Sequence, residues 1–135
     1  MTVLRRLLLL MLAGLVLATT ARADEAALRE ILARFPAAKG FPAIEAIVRY
    51  LGAPGDPAVE RPLLALSEGD LYFRKTDSAV FIGRESGQAV SLSDPLTGEA
   101  AGEAAKAEVT KIKVNNGLRR AVREVLGSLT LGSED

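Results

Sequence analysis

Residues 71–92 constrain the fold more than any other stretch of this chain. Leu71-Tyr72-Phe73-Arg74-Lys75, Ala79-Val80-Phe81-Ile82-Gly83 and Gln88-Ala89-Val90-Ser91-Leu92 are short runs enriched in β-branched and aromatic residues. Thr76-Asp77-Ser78 and Glu85-Ser86-Gly87 separate them, and Asp, Ser and Gly are the residues that turn a chain tightly. The pattern predicts a small antiparallel meander with Val80-Phe81-Ile82, apolar on both faces, at its centre. Two or three strands are not stable alone in water, so the flanking segments must cover them. Those segments read as helix. The expected fold class is therefore α+β: an N-terminal helical pair or triplet, a small antiparallel β-meander and a C-terminal amphipathic helix.

The helical readings rest on periodicity. Leu28, Ile31, Leu32 and Phe35 share one face of a helix over 24–35, which Pro36 stops. Ile44, Ile47, Val48 and Leu51 form the next stripe, over Phe41–Leu51. Gly52-Ala53-Pro54-Gly55-Asp56-Pro57 forces a loop in which Asp56 is placed to cap and Pro57 to begin a third helix. Val59, Leu63 and Leu66 line that helix, with a kink or restart expected at Pro62. Beyond the meander, Asp94-Pro95-Leu96-Thr97-Gly98-Glu99 reads as a rigid turn and Ala100–Glu108 as a weak helix or irregular segment. Lys111-Ile112-Lys113-Val114 alternates as a short edge strand. Asn115 or Asn116 then caps a helix whose face carries Leu118, Val122, Val125, Leu126 and Leu129.

The N-terminus has the form of an export signal. Arg5 and Arg6 precede an apolar run over Leu7–Ala18, and Ala21-Arg22-Ala23 offers small residues where a signal peptidase reads. Residues 1–23 are expected to be a signal peptide cleaved after Ala23, and residues 24–135 a single extracytoplasmic domain. The exported protein is placed in the periplasm, where contact with the inner membrane is open to it. Loss of Arg5, Arg6 and Arg22 with no acid leaves three more acids than bases.

Composition limits the chemistry. The chain of 135 residues has no His and no Cys, which removes Ser-His-Asp and Cys-His nucleophile systems, thiolate chemistry and the usual zinc sites. Its formal net charge of zero argues against nucleic acid as a partner. Asp70, Asp77, Asp94 and Glu99 stand where turns need backbone caps. No catalytic, cofactor-binding or metal-ligating set emerges, and the reading is a non-enzyme without cofactor. One cluster remains: Lys111, Lys113, Arg119, Arg120 and Arg123, with Arg74 and Lys75 expected nearby. Such cations suit either a solvated face or a surface meeting an acidic partner or anionic lipid headgroups.

Four stretches, in order, carry a resemblance. Gly69-Asp70-Leu71-Tyr72-Phe73-Arg74-Lys75, Asp94-Pro95-Leu96-Thr97-Gly98-Glu99, Lys113-Val114-Asn115-Asn116 with Leu118-Arg119-Arg120-Ala121, and Leu129-Thr130-Leu131 together resemble the N-terminal extracytoplasmic extension of the urea-type ABC transporter permease subunit. That subunit is similar to the branched-chain amino acid permeases. The likeness runs from about Asp56 to the end. It departs at Gly117, where the family tends to carry a basic residue. The family continues into further helices and a multi-span membrane domain, so the resemblance implies a truncated part of such a subunit, and no transport-path residue is carried over. It also implies permease and solute-binding subunits of an importer as partners. The contrasting expectation is a free-standing secreted protein that binds a small ligand or another protein.

Overall fold

The computed structural model of the chain describes residues 24–133. The expected signal peptide over 1–23 lies outside the described residues. The chain divides into two units, Met1–Glu30 and Ile31–Asp135. The described part of the first, residues 24–30, is helical, and Arg29 reaches Glu25 one turn back at 2.7 Å. This helix, α1, spans residues 24–32, so it ends before Pro36. Phe35–Ala37 instead forms a 3-10 turn with Pro36 inside it.

The rest of the second unit is an α+β fold. α2 (Phe41–Gly52), α3 (Glu60–Glu68) and α4 (Asn116–Ser133) accompany a five-stranded antiparallel sheet. Its strands are β1 (Leu71–Arg74), β2 (Val80–Ser86), β3 (Ala89–Ser93), β4 (Ala100–Ala105) and β5 (Val109–Lys111), ordered β4-β3-β2-β1-β5. β2 is central, as its doubly apolar run requires. The sheet has grown on both sides of the predicted meander.

The extra strands correct two readings. Ala100–Glu108 is neither weak helix nor irregular: β4 pairs with β3, and Lys106–Glu108 is a 3-10 turn leading into β5. Alanine favours helix locally, but two features overrule it. β3 offers an unpaired edge, and Gly102 sits at φ +91°, a value no right-handed helix allows. The register slips between Ser91 and Ser93, so Gly102 occupies a β-bulge. The edge strand lies two residues earlier than its alternation suggested, although the Ile112 N–H still bonds Leu71 O at 2.9 Å. Glu85 and Ser86 belong to β2, and the hairpin turn is Gly87-Gln88, with Gly87 at φ +64° in the first central position.

β4 and β5 are consecutive in sequence yet lie at opposite edges. The 3-10 turn between them therefore straps the sheet from β3 to β1: the Lys106 N–H bonds Gln88 O at 3.0 Å and the Lys75 N–H bonds Glu108 O at 2.9 Å. On the strapped face Tyr72, Val90, Leu92, Ala104 and Val109 are buried together with Phe81 against them. The opposite face carries Leu71, Phe73 and Ile82. There α3 packs on β1, and α4 packs across α2 and α3. Leu51, Leu63, Leu66, Leu71, Leu118 and Val122 are almost wholly buried, each contributing about 1.5–3 kcal/mol of apolar burial.

Local signals set the ends of these elements. The Asp56 carboxylate accepts from the Ala58 N–H at 2.9 Å, starting the 3-10 turn Pro57–Val59 that runs into α3. Pro62 is the third residue of α3, where its missing N–H has no partner to lose, and no kink is needed. Gly69 ends α3 in the left-handed conformation, with the Asp70 N–H bonded to Ala65 O and the Gly69 N–H to Leu66 O. Asn115 is the N-cap of α4: its side-chain oxygen accepts from the Leu118 N–H at 2.8 Å.

Candidate interaction surface

The seven cations of the predicted cluster fall on three elements and into two kinds. Arg74, Lys75, Lys111 and Lys113 belong to β1, β5 and the residues that follow each; Arg119, Arg120 and Arg123 project from α4. Arg74 and Arg119 are held by their own fold. The Arg74 guanidinium bonds both Asp77 oxygens, at 3.0 and 2.5 Å, and lies 4.9 Å over the Phe81 ring. Asp77 also accepts from the Ala79 N–H. The Arg74 bond, then the Ala79 bond, hold the Asp77 carboxyl down at about 2. This is the clamp of the β1–β2 turn, where Ser78 takes φ +58°.

Arg119 performs an equivalent task between helices. Its Nε donates to Ser67 O at 3.0 Å, and its other arm donates to Asn116 Oδ1 at 3.1 Å. Ser67 lies in the last turn of α3, whose carbonyls have no partner within the helix, so the guanidinium satisfies one of them and meets the negative end of the helix dipole. Lys75, Lys111, Lys113, Arg120 and Arg123 are exposed. The Lys111 ammonium sits 5.5 Å from the Tyr72 ring centre.

Tyr72 was legible only as a strand residue, yet it is the hub of the strapped face. Its ring lies over Gly83, and its hydroxyl donates to Glu85 at 3.0 Å. Burial, then the neighbouring Glu85 carboxylate, push the phenol up to about 12. The same hydroxyl, followed by the charge of Lys106 at 3.6 Å, holds Glu85 below its ordinary value. Period-two alternation puts Tyr72 and Glu85 on one face only once the β1–β2 register is known, so sequence alone carried no signal for the pair.

Two of the grooves formed by the described residues open on the helix-covered side. The first, about 470 Å³, runs between α3 and β2 and is bordered by Arg61, Arg84, Glu60, Glu68, Asp70 and the half-exposed Leu64. Arg61 donates to Leu96 O at 2.9 Å, locking the Asp94–Glu99 turn onto α3. Asp94 organises that turn by accepting from the N–H groups of Leu96 and Thr97, both at 2.9 Å. Gly98, at φ +77°, lies directly beneath the Arg61 guanidinium. The second groove, about 350 Å³, lies between the start of α2 and β5. Phe35, Phe41, Ile44 and Phe73 line it, and among the described residues of its lining Lys111 and Lys113 are the charged ones. The sequence singled out those lysines but not the aromatic residues that meet them, which come from distant stretches.

Asp77 and Asp94 do the turn work their positions predicted. Among the described residues no cluster of three or more Asp or Glu side chains is placed to hold a metal ion. No described helix is long and apolar enough to cross a membrane. No family model, curated protein or solved structure matches this chain.

Proposed function

We propose that this chain is a non-catalytic extracytoplasmic module of an ABC importer permease for urea or similar small amides and amino acids. It works through contacts with the permease or its solute-binding subunit. The observation that supports this reading is how the stretches carrying the resemblance relate in space. Gly69-Asp70 closes α3, Leu71–Arg74 forms β1, Asp94–Glu99 is pinned by Arg61, and Asn115 and Arg119 start α4 and tie it back to α3. Stretches that are scattered along the chain thus form one connected frame, as expected of a module inherited whole. The exposed cations Arg120 and Arg123 stand on that frame, and among the described residues no ion pair or hydrogen bond ties them into it.

The test is co-expression of the chain with the membrane domain of such a permease, followed by isolation of the membrane fraction. The reading predicts that the two co-purify, and that added salt weakens the association because exposed cations contribute to it. Failure to co-purify at low salt would reject it. A second reading, a free-standing periplasmic ligand-binding protein, draws on the 470 Å³ groove beside Arg61 and Arg84. A thermal-shift titration with urea and amino acids separates the two. A binding protein gains stability with its ligand by mass action, whereas a structural module stays at its original Tm.

A further inference from the structure

We infer that the outer edge of β5 and the adjoining apolar groove form a docking site for an extended, acidic segment of a partner protein, which adds to the sheet as a sixth strand. Three observations converge on this edge. The first is backbone polarity. Thr110 is the register partner of Phe73, and the Ile112 N–H bonds Leu71 O. In an antiparallel pair the groups facing the partner alternate. The N–H and C=O groups of Val109 and Lys111 therefore point away from β1, and among the described residues no backbone group is bonded to them. An edge of this kind accepts a further strand through main-chain hydrogen bonds.

The second observation is the groove itself. Successive side chains of an added strand point to opposite faces, so one in two would turn toward the helix side. There the 350 Å³ groove, walled by Phe35, Phe41, Ile44 and Phe73, receives it. Phe41, at the wall of this groove, is 37% exposed.

The third is charge. Among the described residues that line the groove, Lys111 and Lys113 are the charged ones. Lysine on an edge strand guards against pairing with another copy of the same chain. Here a second copy would set Lys111 near Lys111, so the edge selects against itself and in favour of carboxylates. The recognised pattern is an apolar anchor with an acidic residue on either side. This inference does not depend on the importer reading, and its test uses no transporter subunit.

The probe is the acetylated heptapeptide Asp-Val-Asp-Phe-Asp-Val-Asp, titrated into the ¹⁵N-labelled full chain and followed by amide NMR. Two comparison peptides are used: one with lysine in place of every aspartate, and one N-methylated at alternate backbone nitrogens. The expected result is that the Val109 and Lys111 amides shift strongly while those of Thr110 and Ile112 move little. Binding should disappear with both comparison peptides. It should weaken about tenfold in the K111E/K113E double variant, whose unchanged amide dispersion elsewhere would report intact folding. The inference is overturned if the parent peptide shifts none of these amides at concentrations near 1 mM. Equal binding of the N-methylated or lysine peptide would overturn it as well.

Discussion

Adding a single methyl group at Gly83 tests whether the strapped face of the sheet is built around Tyr72. Gly83 sits in the central strand, and its backbone does not require glycine, since its φ is not positive. The obstacle is space. A Cβ there would stand 2.5 Å from Cδ2 and 2.7 Å from Cε2 of Tyr72, and 2.7 Å from Cγ1 of Val90. Non-bonded carbons prefer about 3.5–4.0 Å, so roughly 1 Å of clearance is missing on two sides. Neither neighbour gives way easily. Tyr72 is 4% exposed and held at its hydroxyl by Glu85, and Val90 is fully buried. Overpacking of this kind costs about 1–3 kcal/mol, while removing glycine from the unfolded chain returns about 0.4–1 kcal/mol. Gly83→Ala should therefore destabilise by about 1–2 kcal/mol. Urea unfolding should show the midpoint lowered with the slope unchanged. In a Tyr72→Val background the ring is gone and only the part of the cost set by Val90 should remain, a coupling that a double-mutant cycle reads directly. A Gly83→Ala variant as stable as the parent would refute the reasoning, as would an equal loss in both backgrounds.

Other perturbations probe the remaining contacts. Gly52→Ala should destabilise by about 1–3 kcal/mol in the same urea assay despite alanine's higher helix propensity, because a Cβ at Gly52 would overlap the Val125 side chain on α4. Asn115→Ala removes the cap of α4 and should cost about 1 kcal/mol, read as a lower urea midpoint. Raising pH should weaken the fold through Tyr72. Its folded value, about 12, lies above the ordinary 10.0, so its contribution is intact below pH 10 and is lost as pH rises toward 12. That alkaline loss should be absent from the unfolding profile of Tyr72→Phe. Finally, R120E/R123E should leave stability within about 0.5 kcal/mol, while Arg119→Glu, which strips the bond to Ser67 O, should lose about 1–2 kcal/mol in thermal or urea unfolding.

Much of this architecture is written in local signals. The apolar face of α4, the Asp56 and Asn115 caps and the turn at Asp94 are decided within a few residues, and each lies where the sequence places it, whereas α1 ends at residue 32, short of the expected stop at Pro36. The central position of β2 follows from its doubly apolar run. β4 was not legible because nothing in its alanine-rich stretch prefers a strand. Its state is set by the free edge of β3 and by Gly102, whose φ value only the folded backbone reveals. The same holds for the candidate surface. Sequence proximity grouped seven cations, but Asp77 claims Arg74 and the Ser67 carbonyl claims Arg119, the second across 52 residues. Likewise Phe35 reads as part of a helical stripe, Phe41 as the start of a helix and Phe73 as a strand residue, and only folding brings them around a groove beside Lys111 and Lys113.

Uptake of labelled urea by cells carrying the importer, with and without this chain, tests the central claim most directly. The account predicts that uptake falls without the chain and is restored by the wild-type sequence. R120E/R123E, with its fold intact, should restore it only weakly. Uptake that is the same in the presence and absence of the chain would contradict the account.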